Sequence, residues 1–323
     1  NRARRRTYES GMDEIVMTSK VGSVVRRVRY EQVTHGVHAV RGSVSELRRR
    51  CRAIQLALPP GAVFSHYTGA RLRGWQLPWL PEWLPMFASL PRGATHLKRR
   101  GLYVARTDEA AVGCEARDGV RVAAPAGILA QLALDLSLLD LVAVVDSALH
   151  SGDCTLVELE ASIRPGQWGG SRLRRALDLA DGRAESWWET PLRLLHQWAG
   201  IEVVPQYEVR DGRGSLVARA DLWIVGTRRL HEYDGGHHDR PETRRVDLAR
   251  DKALARIDWE RYGYVSTDLT RGADRILRDA EAARGLPHRP SRLRRWHAEV
   301  ARSTLSARGR ARLARRLARF DRR

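Results

Sequence analysis

The chain has 323 residues, 43% of them hydrophobic, with 57 Lys+Arg against 38 Asp+Glu and a formal net charge of +19. That length and apolar content can give two or three domains a core each, which excludes a disordered or collagen-like chain. The longest uncharged stretch near the middle, Val122 to Leu134, is too short to cross a bilayer, so no membrane association is expected.

Three cysteines, Cys51, Cys114 and Cys154, stand far apart with no CxxC pair. They argue for a reducing compartment and against structural zinc. The basic start, Arg2 to Arg6, leads into no apolar run, so no secretory signal is expected and the protein is read as cytoplasmic. The positive charge is unevenly placed: residues 288–323 carry a net +11, residues 1–30 a net +5, and everything between only +3. Only three of the basic residues are lysines, a bias that codon usage can produce, so placement says more than the total. Basic arms of this kind suit a polyanion, because binding releases its counterions.

Residues 12–30 read as helical fragments, and from Arg26 the chain suggests a helix end and a short strand reaching His35-Gly36-Val37. This is similar to the end of a winged helix-turn-helix, and it fits a plain capping hairpin equally well. Residues 1–44 are therefore set apart as a basic arm with a winged-helix remnant as one reading. Residues 45–165 open with an arginine-rich helix ended by Pro59-Pro60-Gly61. Trp75, Trp79 and Trp83 are spaced for a helix, but prolines at 78, 81 and 85 forbid one, leaving core or groove-wall aromatics, or base-stacking ones. Leu129 to Leu149 has the period of a buried helical stripe, and Asp135, Asp140 and Asp146 on it are expected to form the solvated face. The run Ser65-His66-x-Thr68-x-Ala70-x-Leu72-x-Gly74, then Pro125, the Leu129–Leu149 helices and Thr155-Leu156, resembles the AbiEi-like antitoxin family. The N-terminal half is expected to be mainly helical, residues 45–165 being an AbiEi-like helical or mixed region, and the resemblance implies a protein partner for that region. Gly127-Ile128 departs from the Arg-Thr the family carries after the proline.

Pro165 to Gly170 reads as a linker, and residues 171–286 as a new domain. Within it the periodicity predicts a helix from Glu185 ending at Gly200, strands at 203–209, 216–225 and 229–234, a helix at 241–257 and a strand at 262–265. This is an αβββαβ order in an α/β (α+β) protein. Asp221 stands among β-formers, where a carboxylate is costly to bury without a positive partner. Glu232 and Asp234, two residues apart on a strand, share a face. If strands 216–225 and 229–234 pair as a hairpin, Asp221 and Glu232 converge as hard oxygen ligands suited to Mg²⁺ or Mn²⁺. A metal held there polarises a phosphate and lowers the pKa of a bound water.

Several further residues carry a resemblance: Glu185 and Glu189, Gln206, Arg219-x-Asp221, Glu232-Tyr233-Asp234-Gly235-x-x-His238, Asp247-x-x-Arg250-Asp251-x-x-Leu254, Trp259 and Asp268-Leu269. In this order they resemble the Vsr-like (very-short-patch-repair-like) branch of the PD-(D/E)xK nuclease superfamily. The resemblance implies a restriction-endonuclease-like core and a metal-dependent DNA endonuclease or nickase, active in repair or in defence against mobile DNA. It implies Asp221 and Glu232 as metal ligands, the Tyr233 carbonyl assisting, and Glu189, Asp234 and His238 as further catalytic groups. Arg219, Arg250, Lys252, Arg292, Arg294 and Arg295 are candidate nucleic-acid contacts. Two positions depart from the pattern: Asp234 stands where lysine is usual, and Gly263 where arginine is expected on the last strand. Those departures keep a second reading open, a DNA-binding regulator or antitoxin with a degenerate nuclease fold; a third, a nuclease acting on RNA, is excluded by no residue. Several residues also have plain structural readings: His238 as a helix-start histidine, Glu189 as a partner of the helix dipole, Arg250 with Asp251 as a salt bridge, and His66 as a core residue. Residues 287–323 read as an Arg-rich helical tail anchoring phosphates.

Overall fold

The computed structural model describes residues 30–40, 42, 46–94, 97–107, 113–235 and 248–321 in full, and 15–17 and 241–247 by their backbone. Among the described residues are twelve α-helices and three sheets, a mixed α+β protein, in two compact units. One unit takes residues up to Trp75, Pro81–Leu132 and the end of the chain from Leu317; the other takes Gln76–Leu80 and Ala133–Arg316.

The first unit holds a three-stranded sheet, β1 (Ile15–Met17), β2 (Tyr30–Thr34) and β3 (Val37–Val40), ordered β1-β3-β2 with antiparallel pairing. Gly36, at φ 78°, closes the β2–β3 hairpin where a side chain would be strained. Residues 15–17, expected within helical fragments, are strand; the helix end expected from Arg26 lies outside the described residues. After helix α1 (Leu47–Gln55) come β4 (Val63–Phe64), α2 (His66–Leu72), β5 (Met86–Pro91), β6 (Leu102–Thr107), β7 (Glu115–Arg117), β8 (Val120–Val122) and α3 (Pro125–Leu132). The five strands form a sheet ordered β6-β5-β4-β8-β7. A mainly helical first half is thus corrected to a mixed one. Short apolar runs such as Met86–Pro91 have no period that separates strand from buried helix, and pairing decides them. Gly69 in α2 lets α3 approach: a Cβ there would meet Ile128 Cδ1 at 2.8 Å. His66 is a core residue, stacked on Phe87 with centroids 4.5 Å apart.

The second unit begins with α4 (Leu138–His150), α5 (Leu156–Ser162) and α6 (Gly170–Leu177). Asp135, Asp140 and Asp146 are buried rather than solvated, because residues distant in sequence supply each with polar partners. Asp140 accepts from Ser303 Oγ at 2.6 Å and Thr304 Oγ1 at 2.9 Å, Asp135 pairs with Arg316 at 3.4 Å, and Asp146 accepts from Arg193 at 2.7 Å and Thr190 Oγ1 at 2.6 Å. Burial raises the pKa of Asp140 even though Ser303, Ser137 and Thr304 hydrogen-bond to it.

Next come α7 (Glu189–Trp198), β9 (Val203–Arg210), β10 (Leu216–Ile224), β11 (Arg229–Tyr233), α8 (Pro241–Ala255) and β12 (Glu260–Tyr264). The sheet order is β12-β11-β10-β9, with β9, β10 and β11 antiparallel and β11–β12 parallel. The parallel step requires a crossover, and α8 supplies it. Alternation along β10 buries Ala218, Ala220, Leu222 and Ile224, and Leu254 of α8 packs in one cluster with Val209, Ala218, Ala220 and Leu230. Helix α7 is buried on all sides from Glu189 to His196, as suits a helix at the centre of its unit.

Helices α9 (Ser266–Arg271), α10 (Ala273–Ala283), α11 (Arg294–Val300) and α12 (Ala307–Leu317) complete the chain. Residues 290–316 are not a detached tail. Trp296 is buried and donates Nε1–H to the Leu269 carbonyl at 3.1 Å, and Ser303 and Thr304 close over Asp140. The division into units falls at Leu132/Ala133, not in the glycine-rich 165–170 stretch or at 285–290.

Candidate functional site

Four elements of the second unit bring the expected acids together. β10 and β11 pair Leu222 with His231, and the next step in that register sets Asp221 across from Glu232. Asp221 Oδ2 accepts the Tyr233 backbone N–H at 2.8 Å. Glu189, buried at the start of α7, turns towards the sheet instead of only serving the helix end: its Oε2 accepts from Gln206 Nε2 at 2.8 Å and from the Glu185 N–H at 2.9 Å. Gln206 holds a left-handed φ of 50° within β9. For a side-chain-bearing residue in a strand that conformation costs about 1–3 kcal/mol, maintained here while its amide reaches Glu189.

The electrostatics follow from this packing. Burial, then the charge of Glu189, push the Asp221 carboxyl up to about 7, the Tyr233 N–H acting against them. Burial also raises Glu232, which Arg250 and Arg261 oppose. Arg261 NH1 donates to Glu232 Oε2 at 2.8 Å, and Arg250 donates to Oε1 and to the Arg219 carbonyl. Burial works against the Arg261 charge, but hydrogen bonds to Asp251 and Glu232 outweigh it and its pKa rises. Trp188 stacks on Tyr233 beside the acids, centroids 5.2 Å apart.

The two departures from the nuclease pattern are one structural fact. β12 runs parallel to β11 with Gly263 paired to Glu232, and a Cβ on Gly263 would lie 1.6 Å from Asp234 Oδ2. The Asp234 carboxylate occupies the space that a side chain at 263 would need. Its backbone N–H is bonded to the Tyr264 carbonyl at 2.8 Å.

Of the candidate nucleic-acid contacts, Arg250 is taken up by Glu232, Arg292 pairs with Glu281 at 3.2 Å, and Arg219 pairs with Glu185 at 2.7 Å on the surface. Arg295 lies over the Trp198 ring at 4.8 Å. Lys252 and Arg294 are exposed with no ion pair among the described residues. His238 lies outside the described residues, and so does the side chain of Asp247.

Two features were missed in the sequence. One is Arg261, which has no strand-level signature. The other is a buried chain of polar rings. His196 Nδ1–H donates to the Leu192 carbonyl at 2.8 Å, so its Nε2 accepts from His231 Nδ1–H at 2.9 Å. His231 Nε2 then faces Tyr264 Oη at 3.3 Å, whose proton goes to Asp279 at 2.9 Å. Burial lowers His196 to about 4 and His231 well below its usual value, so both rings are neutral.

For a divalent cation Asp221 offers a hard carboxylate whose proton affinity is raised by burial and by the charge of Glu189, while both oxygens of Glu232 are taken by Arg250 and Arg261. No group of three or more His, Cys, Asp or Glu with the makings of a metal centre is found among the described residues. No protein-family model, no curated protein and no solved structure matches the chain.

Proposed function

We propose that residues 171–286, within the second unit, form a restriction-endonuclease-like domain hydrolysing phosphodiester bonds in DNA, as an endonuclease or nickase, with Mg²⁺ or Mn²⁺ recruited by Asp221 and Glu232. The observation that carries this reading is the approach of Glu189, Asp221 and Glu232 to one another from three elements of residues 185–265, with burial and the charge of Glu189 raising the pKa of Asp221. A bound cation supplies Lewis-acid polarisation of the phosphate and a water of lowered pKa. The chain's own residues do the rest: Gln206 fixes the Glu189 carboxylate, the Tyr233 N–H orients Asp221, and Lys252 and Arg294 offer exposed charge to phosphates. Three free cysteines accord with a cytoplasmic setting, and no helix among the described residues is long and apolar enough to cross a membrane. A protein partner is assigned to the AbiEi-like region, residues 45–165.

One observation favours a second reading, a DNA-binding regulator without catalysis: Arg250 and Arg261 already neutralise both oxygens of Glu232. Supercoiled plasmid incubated with purified protein and Mg²⁺ or Mn²⁺ separates the two. The nuclease reading expects nicked or linear product from wild type and none from Asp221→Asn. Equal outcomes for the two proteins would sink it, and a labelled RNA run in parallel tests the nucleic acid.

A further inference from the structure

A second charged feature lies within the same unit and shares no residue with the acid cluster. The segment before α4, the start of α4, helix α6 and helices α11 and α12 line a half-open cavity of about 360 Å³. Five arginines line it: Arg172, Arg175, Arg302, Arg312 and Arg316.

The three acids on its wall do not balance them. Asp140 is saturated internally, by Ser137, Ser303 and Thr304. Asp135 pairs with Arg316 at 3.4 Å, and Glu299 with Arg302 at 3.2 Å. Arg172 donates to the carbonyls of Ala133, Leu134 and Leu136, the nearest at 2.8 Å, which fixes its guanidinium without cancelling its charge. Arg172, Arg175 and Arg312 have no ion pair among the described residues. Crowding is felt at Arg172, whose pKa is lowered first by burial and then by the charges of Arg316 and Arg312. The thirteen-residue helix α4 adds the positive end of its dipole at Ser137. Like charges held together around a cavity are costly unless an anion enters, and guanidinium forks match the oxygens of a phosphate.

We propose that this cavity is a phosphate-binding site, with Arg172 as a fixed donor and Arg175 and Arg312 closing on the anion from the rim. The phosphate comes from a small phosphorylated ligand or from a nucleic-acid backbone. The inference does not rest on the nuclease reading.

Pyrophosphate binding to the full chain, followed by calorimetry at low salt, tests it. Saturable binding to wild type is expected, weakened about tenfold or more in the Arg175→Ala/Arg312→Ala double variant. Arg213→Ala/Arg284→Ala, which removes the same charge from exposed positions outside the cavity, controls for bulk electrostatics and should bind as wild type. All four positions are exposed, and circular dichroism checks that each variant is folded. Displacement of pyrophosphate by a short DNA duplex assigns a backbone phosphate, and failure of the duplex to compete assigns a small ligand. Unsaturable binding to wild type, or equal weakening in the two double variants, overturns the proposal. Asp221→Asn should leave pyrophosphate binding unchanged, so loss of cleavage and loss of this site are told apart.

Discussion

Replacing Asp221 with Asn tests the acid cluster without any need for activity. The amide keeps an oxygen to accept the Tyr233 N–H and removes only the ionisable proton. In the folded protein the carboxyl holds its proton up to about pH 7, against an ordinary aspartate value of 3.8. Below about pH 4 both states are protonated and the group is neutral to stability. Between there and pH 7 the unfolded chain ionises while the folded one does not, so Asp221 erodes stability as pH rises and its effect levels off above 7. Roughly three pH units at about 1.4 kcal/mol each give an upper figure of ~4 kcal/mol at pH 8, reduced by whatever the site relaxes. Buried His196 and His231 have the opposite sign: the unfolded chain takes up their protons below about pH 6.5, so they lower stability in acid. Comparing variant with wild type at each pH cancels them. Urea denaturation at pH 5 and pH 8 should show Asp221→Asn more stable than wild type, by a margin about 2.5 times larger at pH 8 than at pH 5. Added Mn²⁺ should close that margin at pH 8 by stabilising wild type alone. A margin independent of pH would refute the reasoning.

Two further perturbations probe the scaffold. Asp146→Ala leaves the Arg193 guanidinium, only 2% exposed, buried with a lost charge partner, and should cost about 3–5 kcal/mol in denaturation, more than replacing both residues with leucine. Gly263→Ala must evict the Asp234 carboxylate, so its cost, about 1–3 kcal/mol, should shrink by half or more in an Asp234→Ala background. An identical cost in both backgrounds would mean that the two positions do not compete for space.

The α+β class and the order helix, three strands, helix, strand were legible along residues 185–265, because period-2 alternation in 216–224 and the polar turn at 211–214 are local properties. The convergence of Asp221 and Glu232 was legible too, since an antiparallel hairpin with a short turn fixes its own register. The first unit was harder. Two-residue and six-residue strands such as Val63–Phe64 and Met86–Pro91 carry too few positions to show a period, and their partners lie far along the chain.

Charge was the property least readable in one dimension. Local spacing puts Asp135, Asp140 and Asp146 on a polar stripe, yet Arg316, Ser303 and Arg193 reach them across some 47 to 181 residues of chain. Arg261 meets Glu232, and Gly263 makes room for Asp234, only because β12 returns parallel to β11 after a helix. The +19 excess and its concentration towards the ends belong to the sequence alone. Which of those arginines are spent on buried acids and which surround a cavity was decided by tertiary structure. Coulomb interactions depend on distance and dielectric, and neither is set by position along a chain.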